Sequence, residues 1–363
     1  MPSSTSSSEL PSREVHPYVR VVPEMRIGRA WLVAVVVFLI GIAAWEAYWR
    51  AFGSYPAYRN SDGLWAMQRR RINEGEGNAT VLIGSSRVLF DIQLPVWERL
   101  AGERPIQLAF EGTSPMFMLE DLADEPAFTN GRLLIGVTPP LFFLGFDLRA
   151  GAIKYAKGET LSHRAGQWLS MHLIEPFFGF YDQDFALVMV LKRQPWPLRQ
   201  GVNNFRDIRK LSVSDRDRNT RMWEKVEHDP EYNALTKSNW TQFFAGPPPG
   251  TTPESMKAMV ESQIARAAAA VAKLKARGVQ VVFVRPPSGG EFLQAENGGF
   301  PRERTWNVLL ERTGVPGIHF EDYPELQGYF LPEWSHLNGP EADRFTGAVY
   351  PILEREHGWT RRQ

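Results

Sequence analysis

Short aliphatic runs, each leading into a helical stretch, recur along this chain. Thr80–Ile83 (TVLI), Ile106–Phe110, Arg132–Thr138 (RLLIGVT), Val279–Val284 (VQVVFV) and a weaker Ile318–Phe320 read as strands. A strand without regular polar alternation is one buried on both faces. Between these runs lie helical stretches at Gln93–Leu100, Pro115–Leu122, Arg302–Thr313 and Gly339–Glu354. A long Ala-rich helix, Glu254–Arg277, is closed by Gly278, a typical C-terminal stop. Strands alternating with helices predict an α/β fold, a five-stranded parallel sheet with helices on both faces. Ligands in such sheets sit at the carboxyl ends of the strands.

The rhythm breaks between 150 and about 253, where RQPWPLRQ, VSDRDRNTR and AGPPPGTTP occur. This stretch reads as an insertion into a domain spanning 77–358. Either it caps the site and carries specificity, or it decorates the fold without touching a site.

Ahead of the domain, Ala30–Trp45 (AWLVAVVVFLIGIAAW) is an unbroken apolar run. It is slightly short of the ~20 residues that cross a bilayer. Trp31, Trp45, Tyr48 and Trp49 at its ends supply an aromatic belt that extends the usable length. A core helix apolar all round so near the terminus would be unusual. The reading is therefore a transmembrane signal anchor over 27–49, with a disordered Ser- and Pro-rich tail at 1–26 and a linker at 50–76. A cleaved signal peptide is the alternative, with Ala51-Phe-Gly53 as a small-x-small site. Arginines flank the segment almost evenly, but a tail this short is easier to leave inside than to translocate. The C-terminal part is expected outside the cytoplasm, in the periplasm of a Gram-negative source.

Composition excludes several classes. With 41 basic and 41 acidic side chains the formal net charge is 0, so no global field favours nucleic acid. The chain has no cysteine, which removes disulfides, thiolate metal sites and cysteine nucleophiles. No HExxH pattern and no phosphate-binding glycine loop occurs, so neither a metal nor a nucleotide cofactor is expected.

The strand Thr80–Ile83 runs into Gly84-Ser-Ser-Arg87, and Phe330–Gly339 contains Glu333-x-x-His336 just before the last helix. A serine hydroxyl is a poor nucleophile until an imidazole takes its proton, and a carboxylate holds that imidazole in one tautomer. Each residue also has a bland reading. Ser86 can cap a helix, Gly112 can permit a turn, and Arg87 can merely cover the first helix. Arg285, directly after the fourth strand, can pair with a phosphate or uronate of a substrate, or with Glu291 or another acid of its own chain.

Taken in order, these motifs resemble the SGNH (GDSL-like) hydrolase superfamily over roughly Ala79 to Leu353, interrupted by the insertion. Ser86 is third in a Gly-x-Ser block after the first strand, Gly112 of LAFEGTSP matches the second-block glycine, and His336 matches the base. Glu333 stands where the family has aspartate, and Gly136-Val-Thr-Pro139 stands where it has Gly-x-Asn-Asp. The resemblance is nearest the membrane-anchored branch that includes the D-alanine transfer protein of teichoic acids and the alginate O-acetylation proteins. It implies catalytic Ser86, His336 and Glu333, with an oxyanion hole from Ser86, Gly112 and Thr138. Losing an oxyanion donor typically costs ~10²- to 10³-fold in rate, which fits a specialised acyl transferase better than a fast esterase. The resemblance further implies a glycan acceptor in the cell envelope and a polytopic membrane O-acyltransferase as partner. A non-catalytic, glycan-binding scaffold and a lipid or thioester hydrolase are the competing expectations.

Overall fold

Five parallel strands form one sheet, and their order decides where a site can lie. A computed structural model describes residues 26–197, 207–244, 246 and 250–362. The strands are β1 (Thr80–Ile83), β2 (Ile106–Gln107) and β3 (Arg132–Gly136), then a short antiparallel pair, β4 (Ser212–Ser214) and β5 (Thr220–Met222). β6 (Gln280–Arg285) and β7 (Gly317–His319) complete the set. The large sheet runs β2-β1-β3-β6-β7 with every neighbour parallel. Register is set by aliphatic pairs such as Leu82 opposite Leu134 and Ile83 opposite Ile135. The direction of winding reverses after β2, so the carboxyl end of β1 lies at the switch point where open α/β sheets bind ligands.

Every residue of β1 and β3 is buried, as their apolar runs predict. Val81, Ile83, Leu133, Ile135 and Phe283 pack into one core with Leu119 and Leu122 of the helix Met116–Asp124. The helix Pro253–Ala276 adds Ile264, Ala267, Val271 and Leu274 to the same core. Elsewhere the helix Leu94–Ala101 meets Gly339–His357 through Trp97, whose ring lies edge-on to Tyr350 at 5.2 Å.

Several boundaries differ from expectation. β2 is only two residues long, although Leu108 N and Phe110 N still donate to Leu82 O and Gly84 O, which carries the chain along β1. The helix expected at Arg302–Thr313 is a 3₁₀ turn, Arg302–Arg304, followed by Trp306–Thr313. Thr305 interrupts it by turning its hydroxyl to Pro301 O at 2.9 Å.

Residues 50–76 are not a linker. They contain the helix Asp62–Arg70, capped by Ser61, with Leu64, Trp65 and Ala66 buried. Trp65 belongs to the core, donates to Leu108 O at 2.8 Å and stacks on Phe110. A nine-residue helix with one short apolar face carries too weak a periodicity to be recognised alone.

The N-terminal helix Ile27–Phe52 is long and apolar enough to cross a membrane. At 1.5 Å per residue its 26 residues extend about 39 Å, against the ~30 Å of a bilayer core. The chain divides after Tyr48 into two compact units, so the last turn, Trp49–Phe52, belongs with the sheet domain. There Trp49 stacks on Phe185 at 4.2 Å. The tail expected over 1–26 lies, except for Arg26, outside the described residues.

The stretch expected as an insertion is woven into the domain. Arg218, fully buried and with φ 67°, donates to Gln107 O and Ala109 O, both at 2.7 Å. It thereby covers the open edge of β2, which would otherwise present unpaired carbonyls. Burial pushes its guanidinium down to about 9.

Candidate active site

β1 ends at Ile83, and three residues later Ser86 opens the helix Ser86–Asp91. That helix lies close over the strand ends. A Cβ on Gly84 would fall 2.5 Å from Val88 Cγ2, and one on Gly136 at the end of β3 would collide with the same methyl. Glycine at both positions is what lets the serine sit at the mouth of the sheet.

His336 comes from a loop almost the whole domain away in sequence, and its Nε2 lies 2.7 Å from Ser86 Oγ. Its Nδ1 lies 2.7 Å from Glu333 Oε1, and its backbone N–H donates to the same oxygen at 2.8 Å. An ionised carboxylate only accepts, so Nδ1 carries the proton and Nε2 is left to accept from the serine hydroxyl. Glu333 and His336 are buried, whereas Ser86 is only partly buried. The longer arm of glutamate is used to reach backbone and ring of His336 together.

Glu333 has a second holder. Trp240 Nε1 donates to its Oε2, so donors hold both oxygens. Trp240 ends the helix Pro230–Trp240 inside the supposed insertion, which therefore touches the site. Its ring begins an aromatic patch with Phe292 at 5.5 Å and Phe243 at 6.1 Å.

The nucleophile helix itself holds the histidine loop. Phe90 stacks on the His336 ring at 4.4 Å. Arg87 Nε donates to Ser335 Oγ at 3.3 Å, and Leu337 N donates to Asp91 Oδ1 at 3.1 Å. Three residues of one helix thus register three consecutive loop residues, which fixes the Ser86–His336 distance. Between Glu333 and His336, Trp334 adopts φ 73°, a strained value for a bulky residue. Gly289 N donates to Trp334 O at 2.8 Å, and only glycine at 290 leaves room for the Trp334 ring.

Behind this contact lies a buried ionic cluster. Glu296 Oε2 accepts from Arg87 Nη1 at 3.1 Å, from Arg285 Nη2 at 2.6 Å and from Ser288 Oγ, while Arg87 Nη2 lies 2.7 Å from Oε1 as an ion pair. Burial alone would raise the Glu296 carboxyl, but Arg285 and Arg87 hold it down to about 2. Burial also pushes Arg285 down to about 10 against the pull of Glu296. Arg285 was expected to bind substrate, and this is corrected. Its guanidinium is buried and committed to Glu296, Ser288 and the Pro286 carbonyl. The acid is Glu296, not Glu291. Nearby, burial and then Arg285 and Arg302 push His319 down to about 3, so that imidazole stays neutral.

Asp91 is fully buried, and burial raises its carboxyl well above the usual range, with Glu333 adding to the effect and Leu337 N and Arg87 opposing it. Its Oδ2 has no hydrogen-bond partner among the described residues. Burial thus favours its protonated form, and no sequence motif marks it.

No family model matches the chain, and no curated protein matches it. Gly112 and Thr138 follow β2 and β3, the strands on either side of β1, and so flank Ser86 in the sheet order. Gly112 has φ 67°, and the space beside its Cα is open. Thr138 Oγ1 lies 2.5 Å from Ser85 Oγ. If Ser85 is the donor in that pair, the Thr138 hydroxyl proton is left to point elsewhere. Chemically, Ser86–His336–Glu333 can generate a nucleophilic alkoxide and accept its proton.

Proposed function

We propose that this chain is a membrane-anchored, extracytoplasmic serine acyl transferase or esterase that acts on a cell-envelope or secreted polysaccharide. The hydrogen-bonded series Ser86–His336–Glu333 carries the reading. In the first step His336 Nε2 takes the Ser86 proton while Oγ attacks the acyl carbon and the leaving group departs with that proton. In the second, His336 takes the proton of a sugar hydroxyl or water as its oxygen attacks the acyl-serine, and Ser86 Oγ leaves with that proton. Glu333 stabilises the imidazolium in both steps. The oxyanion would be met by backbone N–H groups of Ser86 and Gly112 and by the Thr138 hydroxyl. Membership of the SGNH superfamily, a bacterial plasma-membrane location and a polytopic O-acyltransferase partner belong to the same proposal and rest on the motif residues. Phe243, exposed at the edge of the aromatic group around the buried Trp240, offers a ring face on which a sugar can stack, which supports a glycan substrate.

The test is labelling of the full chain, in mild detergent, with a fluorophosphonate. An adduct at Ser86 that is absent from Ser86→Ala and His336→Ala supports the reading. A folded protein that never forms the adduct points instead to a glycan-binding scaffold.

A further inference from the structure

Between 161 and 196 the domain exposes large apolar side chains in regular stripes. Leu169, Leu173 and Phe177 recur every four residues from the end of the helix Leu161–Leu169 through the π-helical turn Ser170–Ile174 and into the turn that follows it. Leu187, Val188 and Leu191 share one face of the helix Leu187–Lys192. Val188 is 70% exposed and Leu187 61%, as bare as Phe38 (65%) within the apolar N-terminal helix. Patches of this kind on a water-soluble face mark a docking or membrane surface.

The acidic groups of the same segment are turned away from solvent or neutralised. Glu175 is buried and accepts from Ser170 Oγ and Arg59 N. Asp182 pairs with Lys210, and Asp184 with Arg193. What faces outward is apolar and aromatic, with Trp168 and Trp196 more than half exposed, and with two exposed bases that are themselves paired, Arg164 to Glu159 and Lys192 to Asp207. Tryptophan with basic residues beside an apolar stripe is the composition of a bilayer interface.

The position of the segment names its occupant. It is fastened to the turn with which the apolar N-terminal helix ends. Arg50 Nη2 donates to Phe177 O at 3.1 Å, Ser54 Oγ donates to Gly179 O at 2.8 Å, and Trp49 and Phe52 pack on Phe185. We infer that residues 161–196 form a second, monotopic membrane contact, lying in the headgroup and upper acyl region where the chain leaves the bilayer. The inference rests on the reading of Ile27–Phe52 as a membrane span. Such a contact restrains the domain at the surface, so the site acts on substrates presented there and not on distant polymer.

The absence of cysteine makes the test direct, because each introduced cysteine is the only labelling site. Leu173→Cys, Val188→Cys, Val36→Cys and Glu303→Cys are made in the full chain, labelled with an environment-sensitive nitrobenzoxadiazole dye, and placed in nanodiscs of phosphatidylcholine and phosphatidylglycerol. Some discs carry lipids with a nitroxide at a shallow or a deep acyl position, and thermal melts check that each variant is folded. Labels at 173 and 188 should shift to the blue and lose most of their emission to the shallow nitroxide. The label at 36 should be quenched by the deep nitroxide, and the one at 303 by neither. If 36 is quenched while 173 and 188 stay as wet as 303, the span stands and the second contact is refuted. If 173 and 188 are shielded from aqueous iodide but untouched by lipid nitroxides, a protein covers the face and the inference is overturned. If 36 itself is not quenched, the span fails and the inference fails with it. Leu161→Cys and Trp196→Cys give an independent pair should a first variant misfold.

Discussion

Replacing Glu296 by glutamine removes one negative charge and little volume from the cluster behind the site. The two arginines stay buried and face each other without a counter-ion. In the folded chain the Glu296 carboxyl is held near 2, against the ordinary 4.5. That difference corresponds to about 3 kcal/mol of folding free energy. No discount for solvent applies, since the side chain is 1% exposed. An independent scale agrees: breaking a buried ion pair by removing one partner costs about 3–5 kcal/mol. The figure describes the missing carboxylate, not the worth of the cluster, because burial also pushes Arg285 down to about 10 and sets a cost on the other side. The native carboxyl binds its proton more weakly than the unfolded one. Its contribution is therefore complete above 4.5 and is lost as the pH falls towards 2. Urea titrations of the full chain in detergent, followed by tryptophan fluorescence and circular dichroism, should show Glu296→Gln less stable by about 3 kcal/mol at pH 7. The gap should narrow steadily below pH 4.5. A gap under about 1 kcal/mol at neutral pH, the size of an exposed pair, or one that does not change with acidification, would refute this account of the cluster.

Three further outcomes are expected. Glu333→Gln should fold normally but slow fluorophosphonate labelling of Ser86 by about 10²- to 10⁴-fold, because the imidazole loses its tautomer and counter-charge; a rate within a few-fold of wild type would remove Glu333 from the site. Trp240→Phe keeps an aromatic ring but deletes the indole donor to Glu333 Oε2, a charge-assisted bond of about 1.5–3 kcal/mol. Labelling should slow by roughly tenfold or more, with the melting temperature telling local loss from global unfolding. Asp91→Asn should stabilise the protein at pH 8. The native Asp91 site holds its proton more tightly than the unfolded chain, so stability falls as pH rises from the ordinary carboxylate range through the native value. The gain should vanish near pH 4 in the same urea titrations, and a destabilised variant at pH 8 would show that burial does not raise the Asp91 carboxyl.

The strands were legible because burial on both faces leaves a local signature, an aliphatic run without polar alternation, and β1 and β3 carry it. Ser86, Glu333 and His336 were legible by type and order, since each motif sits within a few residues of a strand end or a helix start. Residues 50–76 were misread because Trp65 gains its place from Leu108 and Phe110, which are not its neighbours in sequence. Trp240 stood in what looked like an insertion, and nothing local marks an indole that will donate to a carboxylate 93 residues on.

The sequence by itself determined where the chain is apolar, where it turns and which nucleophile and base candidates stand near a strand end or a helix start. Those properties depend on neighbours a few residues apart, through backbone dihedrals and the period of burial. Only the tertiary structure decided which charges meet. Arg285 had Glu291 six residues away and Glu296 eleven away, and the fold paired it with Glu296 while adding Arg87, 209 residues from Glu296 in the chain. Electrostatic and hydrogen-bond energies follow distance and burial in space, and the sheet order β2-β1-β3-β6-β7 sets both.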